Sequence, residues 1–471
     1  MDKRPNVVFI QCDSMDGRRI GCMGYPGAYT PNIDRLAAGG VIFRNAYCNS
    51  PICVPSRASM WSGRHIHNIK AWNNFKGLSK EDTTFQDILE ANGYTVGIAG
   101  RTDHLSGSHS YKARVCAWTR SANITLPQKK RYTAEIMPDE RVRVFEKDWE
   151  DMETAKEWLE NHAHDEKPFF LHVGFYIPHP EYITSNYWLK KIDADKIPMP
   201  RFEEKLHPVI EFMSRAKSCL EPVDAEYIVN IRRIYQAMVA ETDALAGEVI
   251  DAVGRAGLLG DTYLIFLSDH GEMTMEHRLL MKSAMYDAST RVPLIIAGPG
   301  VKKGIAADTP VSLVDIFPTL MDIAGIPYDG DLDGESLMPV LSGVGEVTHR
   351  SVLAQFHADL QNTGSFMLRK DRWKYVAYPG YQPQLFNLQE DPDEMKNLAV
   401  ELSGVAVELD RELREMVDYD AVDKKVKEWD KACFRQWKAS VSEAEYWDIM
   451  RKCYMGFDNT QEEKIREWIS R

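Results

Sequence analysis

The sequence predicts an α/β fold: a mainly parallel sheet between helices, followed by a smaller C-terminal α+β unit built on an antiparallel sheet. Three observations predict it. Five short apolar runs, at 6–12, 95–100, 168–175, 262–268 and 292–297, are nearly continuous rather than alternating, which suits strands covered on both faces. Segments with helical spacing lie between them, and such alternation implies parallel pairing. Past Gly330 the chain turns to short stretches rich in β-branched and aromatic residues, separated by turn residues, the pattern of an antiparallel sheet.

The first run, Asn-Val-Val-Phe-Ile-Gln-Cys, ends at Asp13. Residues 151–161 place Met152, Ala155 and Leu159 on one side, just before the run at 168. Residues 231–253 carry Ile231, Ile234, Tyr235, Met238, Thr242, Leu245, Val249 and Val253 at helical spacing ahead of the run at 262, as an amphipathic helix requires. Residues 312–324 repeat the pattern with Leu313, Ile316, Leu320 and Ile323. Antiparallel strands are expected at 351–357, 365–369, 373–378 and 384–388, and a helix at 405–417 with Ala406, Leu409, Leu413 and Met416 on its apolar side. The charged tail from 421 holds Trp429, Trp437, Trp447 and Trp468, so it is expected to pack on the body rather than remain disordered. The organisation that follows is a catalytic unit at 1–345 and a C-terminal unit at 346–471.

With 44% hydrophobic residues in 471, the chain can bury a large core. A net charge of −13 and a pI near 5.6 argue against nucleic acid or an anionic membrane as a partner. They leave room for a small anion held by a few clustered cations. No run approaches the roughly 20 apolar residues of a membrane span. Met1-Asp2-Lys3-Arg4-Pro5 leads straight into the first strand without a signal peptide. The expected location is cytoplasmic if Met1 is the native start, and otherwise periplasmic, secreted or lysosomal after removal of a signal. The eight cysteines form no Cys-x-x-Cys pair and read as mostly reduced, buried thiols.

Ligands of parallel α/β sheets sit at the carboxyl ends of strands. The polar residues after the predicted strands are Asp13, Arg101, His179 and the pair Asp269-His270, and their convergence on one edge marks an enzyme. Asp13, Asp269 and His270 together suit a divalent cation; carboxylates favour calcium, magnesium or manganese, and the imidazole tilts toward manganese or another transition metal. Taken singly, each Asp is more often a helix cap.

The most informative segment is Ser50-Pro51-Ile52-Cys53-Val54-Pro55-Ser56-Arg57, which opens a helix expected over 58–62. Alone, Cys53 would be a small buried hydrophobe. Cys-x-Pro-Ser-Arg, however, matches the motif in which cysteine is oxidised to formylglycine. It stands in order with Thr30-Pro31-Asn32-Ile33-Asp34-Arg35-Leu36, Ser62-Gly63-Arg64, Pro178-His179-Pro180, Glu241-Thr242-Asp243, Ser268-Asp269-His270-Gly271-Glu272 and the stretch Tyr286 to Leu294. On this ordered set the chain resembles the type I, formylglycine-dependent sulfatases of the alkaline phosphatase superfamily, from residue 5 to about 400. Segments such as Asp13-Ser14-Met15-Asp16-Gly17-Arg18, Trp72 to Leu78, Ala117-Trp118-Thr119-Arg120 and Glu276-His277-Arg278 resemble the branch that removes the 2-O-sulfate of glucuronate.

The resemblance implies an alkaline-phosphatase-like fold and one divalent metal, calcium first with manganese or magnesium as alternatives. Its ligands would be Asp13, Asp269, His270 and the modified Cys53. The hydrated aldehyde would attack sulfur with one hydroxyl and expel sulfate with the other, which a serine could not do without being left as a stable ester. By the same resemblance Arg57 holds the diol, Lys282 contacts the sulfate near the leaving oxygen, and His179 protonates the leaving alcohol. Arg101 stands where the family has a lysine, and Asp103 is preferred over His104 as the base that collapses the sulfated intermediate. Two further departures are Ser14 in place of a second Asp, and His270 in place of Asn, a pairing found in phosphonate monoester hydrolases. His67, Trp72, Asn73, Asn74 and His104 are candidates for the sugar pocket, as are His109 and Arg120, because a uronate carboxylate calls for a guanidinium or imidazolium. Core packing is an equal alternative for Trp72. The implied partners are a sulfated saccharide and a sulfatase-maturing enzyme. The alternatives are a phosphonate monoester or phosphodiester hydrolase, another carbohydrate or aryl sulfatase, and a catalytically inactive binding protein.

Overall fold

The computed structural model describes residues 4–107, 111–345 and 350–471. Fifteen strands are numbered here in chain order: β1 Asn6–Asp13, β2 Val41–Phe43, β3 Ala46–Tyr47, β4 Thr95–Gly100, β5 Ala134–Met137, β6 Phe169–Pro178, β7 Tyr182–Ser185, β8 Thr262–Ser268, β9 Leu294–Ala297, β10 Ile305–Ala307, β11 Val311–Ser312, β12 Val352–Phe356, β13 Ser365–Lys370, β14 Trp373–Ala377 and β15 Gln384–Asn387. The main sheet has seven strands in the order β10-β2-β9-β8-β1-β6-β4. Its pairings are parallel except for β9, which runs against both β8 and β2. The run at 292–297 is therefore a buried strand as expected, but of opposite direction; burial on both faces fixes its composition and says nothing about its polarity.

β1 lies at the middle and all eight of its residues are buried. Its side chains alternate between two cores. Val8, Ile10 and Cys12 enter the core under the helices at Pro31–Ala38, Glu146–His162 and Ala225–Arg255. Val7 and Phe9 enter the core under the helices at Cys53–Ser62, Phe85–Ala91 and Ile316–Ala324. These long and short helices form the two outer layers, which is why the strands read as continuous apolar runs.

The C-terminal strands form a separate antiparallel sheet in the order β12-β13-β14-β15, with bounds within a residue or two of expectation. One face, including Ala354, Phe356, Met367 and Val376, packs on the body against Met273, Met285 and Tyr286. The other, including Leu353, Phe366, Leu368 and Tyr375, is covered by Leu409 and Leu413 of the helix Ser403–Met416. The tail forms three helices, Tyr419–Ser440, Glu443–Cys453 and Asn459–Ser470. Phe434, Trp437, Tyr446 and Met450 bury against Val115, Ala117 and Trp118 of the helix Tyr111–Trp118. The expected division after residue 345 falls at 346–349, outside the described residues. Among the described residues no helix is long and apolar enough to cross a membrane, and the eight cysteines are unpaired, six of them buried.

Candidate active site

Four adjacent parallel strands, β8, β1, β6 and β4, release the chain at one edge of the sheet. Asp13 is the last residue of β1, Asp269-His270 follow β8, His179 follows β6, and Arg101 follows β4. The convergence expected from sequence is present.

Cys53 is the first residue of its helix, five residues earlier than expected. The helix can start there because Pro55 falls in the first turn, where a missing N–H has no intrahelical partner to lose. The extended Ile52 supplies no side-chain cap; Asn74 does so from another segment, its Oδ1 accepting from the Val54 N–H at 3.1 Å. Asn74 thus holds the first turn of the Cys53 helix. The helix ends at Gly63, whose φ of 68° favours glycine. Ser56 Oγ donates to the Asp269 carbonyl at 2.6 Å, tying the helix to the end of β8. An N-terminal turn also carries a partial positive charge, which favours an anion next to Cys53.

Asp13, Cys53, Asp269 and His270 are all buried, and their ligand atoms lie within 4.8 Å of one another. His270 Nε2 is 3.3 Å from Cys53 Sγ and 3.6 Å from Asp13 Oδ1. Two carboxylates, an imidazole and the Cys53 side chain make a donor set that fits one divalent cation. Gly271 follows because a Cβ there would lie 2.1 Å from the Ala288 carbonyl oxygen. Arg57 bridges the two acids, donating from Nε to Asp269 at 2.7 Å and from Nη2 to Asp13 at 3.0 Å. Burial resists the charge on Asp13, but His179, Arg57 and Lys282 outweigh it and hold the carboxyl below the usual range. Burial, followed by the negative charge of Asp13, pushes the Cys53 thiol up to about 12.

Arg101 Nη2 donates to Asp103 at 3.2 Å, its Nη1 is 3.9 Å from Asp13, and its guanidinium lies over the Tyr176 ring. Asp103 has a φ of 46°, a left-handed conformation that Asp tolerates. His104 stacks face-on against Trp61 with ring centres 4.1 Å apart, and burial pulls its pKa down to about 4. His179 Nδ1 is 2.5 Å from the Pro180 carbonyl and 2.9 Å from the Tyr176 hydroxyl; burial and then Lys282 keep its pKa well below the ordinary value. Lys282 is buried, and Cys53, Asp13 and Asp269 overcome the burial cost to raise its pKa.

The sugar-pocket candidates are less gathered. His67 meets Gln355 at 2.7 Å and stacks on His65. Trp72 is buried edge-on to His357. Asn73 is buried with Nδ2 unpartnered. Arg120 is buried in an ion pair, Nε to Asp430 at 2.9 Å, with Nη1 and Nη2 free of hydrogen bonds. His109 lies outside the described residues.

The segment that carries Lys282 was not foreseen. Between 274 and 283, Thr274, Met275, His277, Arg278, Met281 and Ser283 all have positive φ, a costly backbone that persists only where surroundings enforce it. Buried Glu272 accepts from the Tyr182 hydroxyl at 2.6 Å, from the Thr274 N–H at 3.2 Å and from the Met281 N–H. Buried Lys217 donates to the Leu280 carbonyl at 2.7 Å and to the Lys282 carbonyl. Glu272 stood in the quoted motif; Lys217 carries no local sequence signal.

Comparison with known proteins gives the family. The sequence model of the family Sulfatase matches residues 5–326, and that of the N-sulphoglucosamine sulphohydrolase C-terminal region matches 275–419. The chain belongs to the sulfatase family and is a sulfuric ester hydrolase. More particularly, it is 42% identical to arylsulfatase K of Mus musculus over 469 residues, covering 94% of this chain and 85% of that one. Among solved structures it is similar to the phosphonate monoester hydrolase of Agrobacterium radiobacter, with a TM-score of 0.74, 25% identity and coverage of 88% and 96%. It is also similar to a 2-O GAG sulfatase, with a TM-score of 0.70, 25% identity and coverage of 90% and 94%.

Proposed function

We propose that this enzyme removes the 2-O-sulfate of a hexuronate at the non-reducing end of a glycosaminoglycan fragment, with a nucleophile made by oxidation of Cys53 to formylglycine. The observation that carries the nucleophile is the placement of Cys53: it opens its helix within the Cys-x-Pro-Ser-Arg motif, with Sγ 3.3 Å from His270 Nε2 and grouped with Asp13 and Asp269. The hydrated aldehyde supplies two hydroxyls on one carbon, one for attack on sulfur and one for expelling sulfate. A divalent cation, calcium before manganese or magnesium, would be held by Asp13, Asp269, His270 and residue 53, where it would acidify the attacking hydroxyl and neutralise a sulfate oxygen.

The remaining work falls to fixed side chains. Arg57, locked by two carboxylates, orients the hydroxyls. Lys282 and Arg101 hold the sulfate oxygens as charge moves onto them. His179 donates from Nδ1 to the Pro180 carbonyl, and it gives the leaving oxygen a proton from Nε2 once the negative charge of the bound sulfate ester has raised its pKa and charged the ring. Asp103 takes the proton when sulfate is expelled. His104 is the weaker choice, because its stacking on Trp61 fixes the ring. The sugar assignment is supported by the identity to arylsulfatase K and the likeness to the 2-O GAG sulfatase. The working division into 1–345 and 346–471 assigns the catalytic groups to the first part.

A second reading, a phosphonate monoester hydrolase, is favoured by the Asp269-His270 pair and the likeness to that enzyme. The test uses protein co-produced with a sulfatase-maturing enzyme, assayed on 2-O-, 6-O- and N-sulfated uronate-containing disaccharides and on a phosphonate monoester. Preferred release from the 2-O-sulfated uronate is expected. Failure on every such disaccharide would remove the sugar assignment, and a higher kcat/KM on the phosphonate would select the second reading.

A further inference from the structure

The tail helix Tyr419–Ser440 carries Lys424, Lys427, Lys431 and Arg435 at spacings of three, four and four, which align them on one face. Over the eleven steps from Lys424 to Arg435 the stripe runs about 16 Å. It lines a cleft of about 590 Å³ together with Trp468 of the last helix, Arg471 just past that helix, Ser121 and Asn362. The acids in the cleft are largely committed elsewhere. Asp420 pairs with Arg414 at 2.9 Å, and Asp423 pairs with Lys427 at 2.5 Å. Lys424, Lys431 and Arg435 form no ion pair among the described residues, and Glu428 is the one acid left to offset them. Lys431 lies 5.3 Å from the centre of the Trp468 ring. Its ammonium is destabilised by partial burial and then by Arg435 and Arg471. Arg435 donates to the Ile469 carbonyl, and the cations crowded beside the ring outnumber Glu428, which favours an added anion.

The cleft connects to the catalytic edge through one short segment. Gln355 N–H donates to the Asn49 carbonyl at 2.9 Å, four residues before Cys53, and His357 meets Trp72. Asn362, which lines the cleft, is seven residues beyond Gln355, so it lies at most about 25 Å from it. An oligosaccharide of several sugars spans that distance.

We propose that this cleft binds the anionic remainder of the saccharide whose terminal sugar occupies the catalytic site. Its sulfates and carboxylates pair with Lys424, Lys431 and Arg435, and a sugar face rests on Trp468. The proposal rests on the saccharide reading above. The test compares wild type with K424Q/K431Q/R435Q, positions remote from the catalytic groups, after thermal melting confirms that both fold. Binding of size-defined sulfated glycosaminoglycan oligosaccharides is measured calorimetrically at two salt concentrations. Cleavage of a 2-O-sulfated disaccharide and of a decasaccharide is measured in parallel. The expected result is a loss of about tenfold or more in decasaccharide affinity, with a shallower salt dependence. KM should rise for the decasaccharide alone, with kcat and the disaccharide kinetics unchanged. Equal decasaccharide affinity in the two proteins would overturn the proposal, as would equally tight wild-type binding of inorganic polyphosphate. Loss of decasaccharide affinity without cleavage of either substrate would sustain the cleft while removing the catalytic reading.

Discussion

At the residue scale, the site depends on opposite charges that are all out of water. Arg57, Asp13 and Asp269 are fully buried, and removing one member of such a set leaves uncompensated charge at a cost of roughly 3–5 kcal/mol. Arg57→Ala should therefore lower the melting temperature and cut kcat/KM by about 10²–10³-fold, the usual loss for one preorganised donor. Arg57→Lys should keep the charge but not the two-pronged bridge, and recover only part of the rate. Steady-state kinetics with thermal melting check both; an Arg57→Ala enzyme of ordinary rate would remove Arg57 from the chemistry. The sequence made these residues legible because the chemistry is written in residue types that have few other uses in that order. It could not reveal that buried Arg120 pairs with carboxylates. Its partners Asp423 and Asp430 lie some three hundred residues away, and a guanidinium suited to a uronate is equally suited to two aspartates.

At the element scale, two devices hold the catalytic edge. The first is the left-handed stretch before Lys282, clamped by Glu272 and Lys217. Lys217→Met removes both carbonyl contacts and should reduce kcat on the sulfate ester about tenfold or more, while Lys217→Arg restores part of it; unchanged kcat in Lys217→Met would show that the clamp is not needed to present Lys282. The second lies in the helix Ala225–Arg255. Asp243 there accepts from the Asn32 and Ile33 N–H groups at 3.0 and 2.8 Å, capping the helix Pro31–Ala38 from outside. Two turns of the chain's logic thus meet in Glu241-Thr242-Asp243, a motif that proves structural. Glu241 Oε1 accepts from the Val144 and Phe145 N–H groups and from Trp149, but burial raises its pKa from 4.5 to about 7. The folded state therefore holds a proton that the unfolded chain releases near 4.5. This stabilisation is full below pH 4.5 and is lost as pH rises through about 7. Glu241→Gln keeps the acceptor without the charge, so its melting temperature should gain on wild type between those two pH values. A constant offset across that range would contradict this linkage. Helical periodicity showed where this helix lies, but periodicity does not say which buried polar residues reach sideways to cap a neighbour.

At the scale of the whole molecule, the strand ends are the organising feature. Continuous apolar runs gave away the four central strands because burial on both faces leaves little else they can be. The short strands β2, β3, β10 and β11 have two or three residues each, too few to show a period, and the direction of β9 has no signature in composition. The tryptophan-bearing tail was legible as a packed element, while the cation stripe on its first helix became meaningful only once the cleft it lines was seen. The main sheet holds one buried helix, with residue 53 at its first turn, against the ends of β1 and β8. The central claim is that this residue works as an aldehyde and not as a thiol. The most direct measurement is to prepare the enzyme with graded levels of a maturing enzyme, determine the aldehyde content of the residue-53 peptide by mass spectrometry, and measure sulfate release from the same samples. The account predicts activity proportional to the aldehyde fraction and none from protein that retains the thiol; full turnover by the unmodified thiol would contradict it.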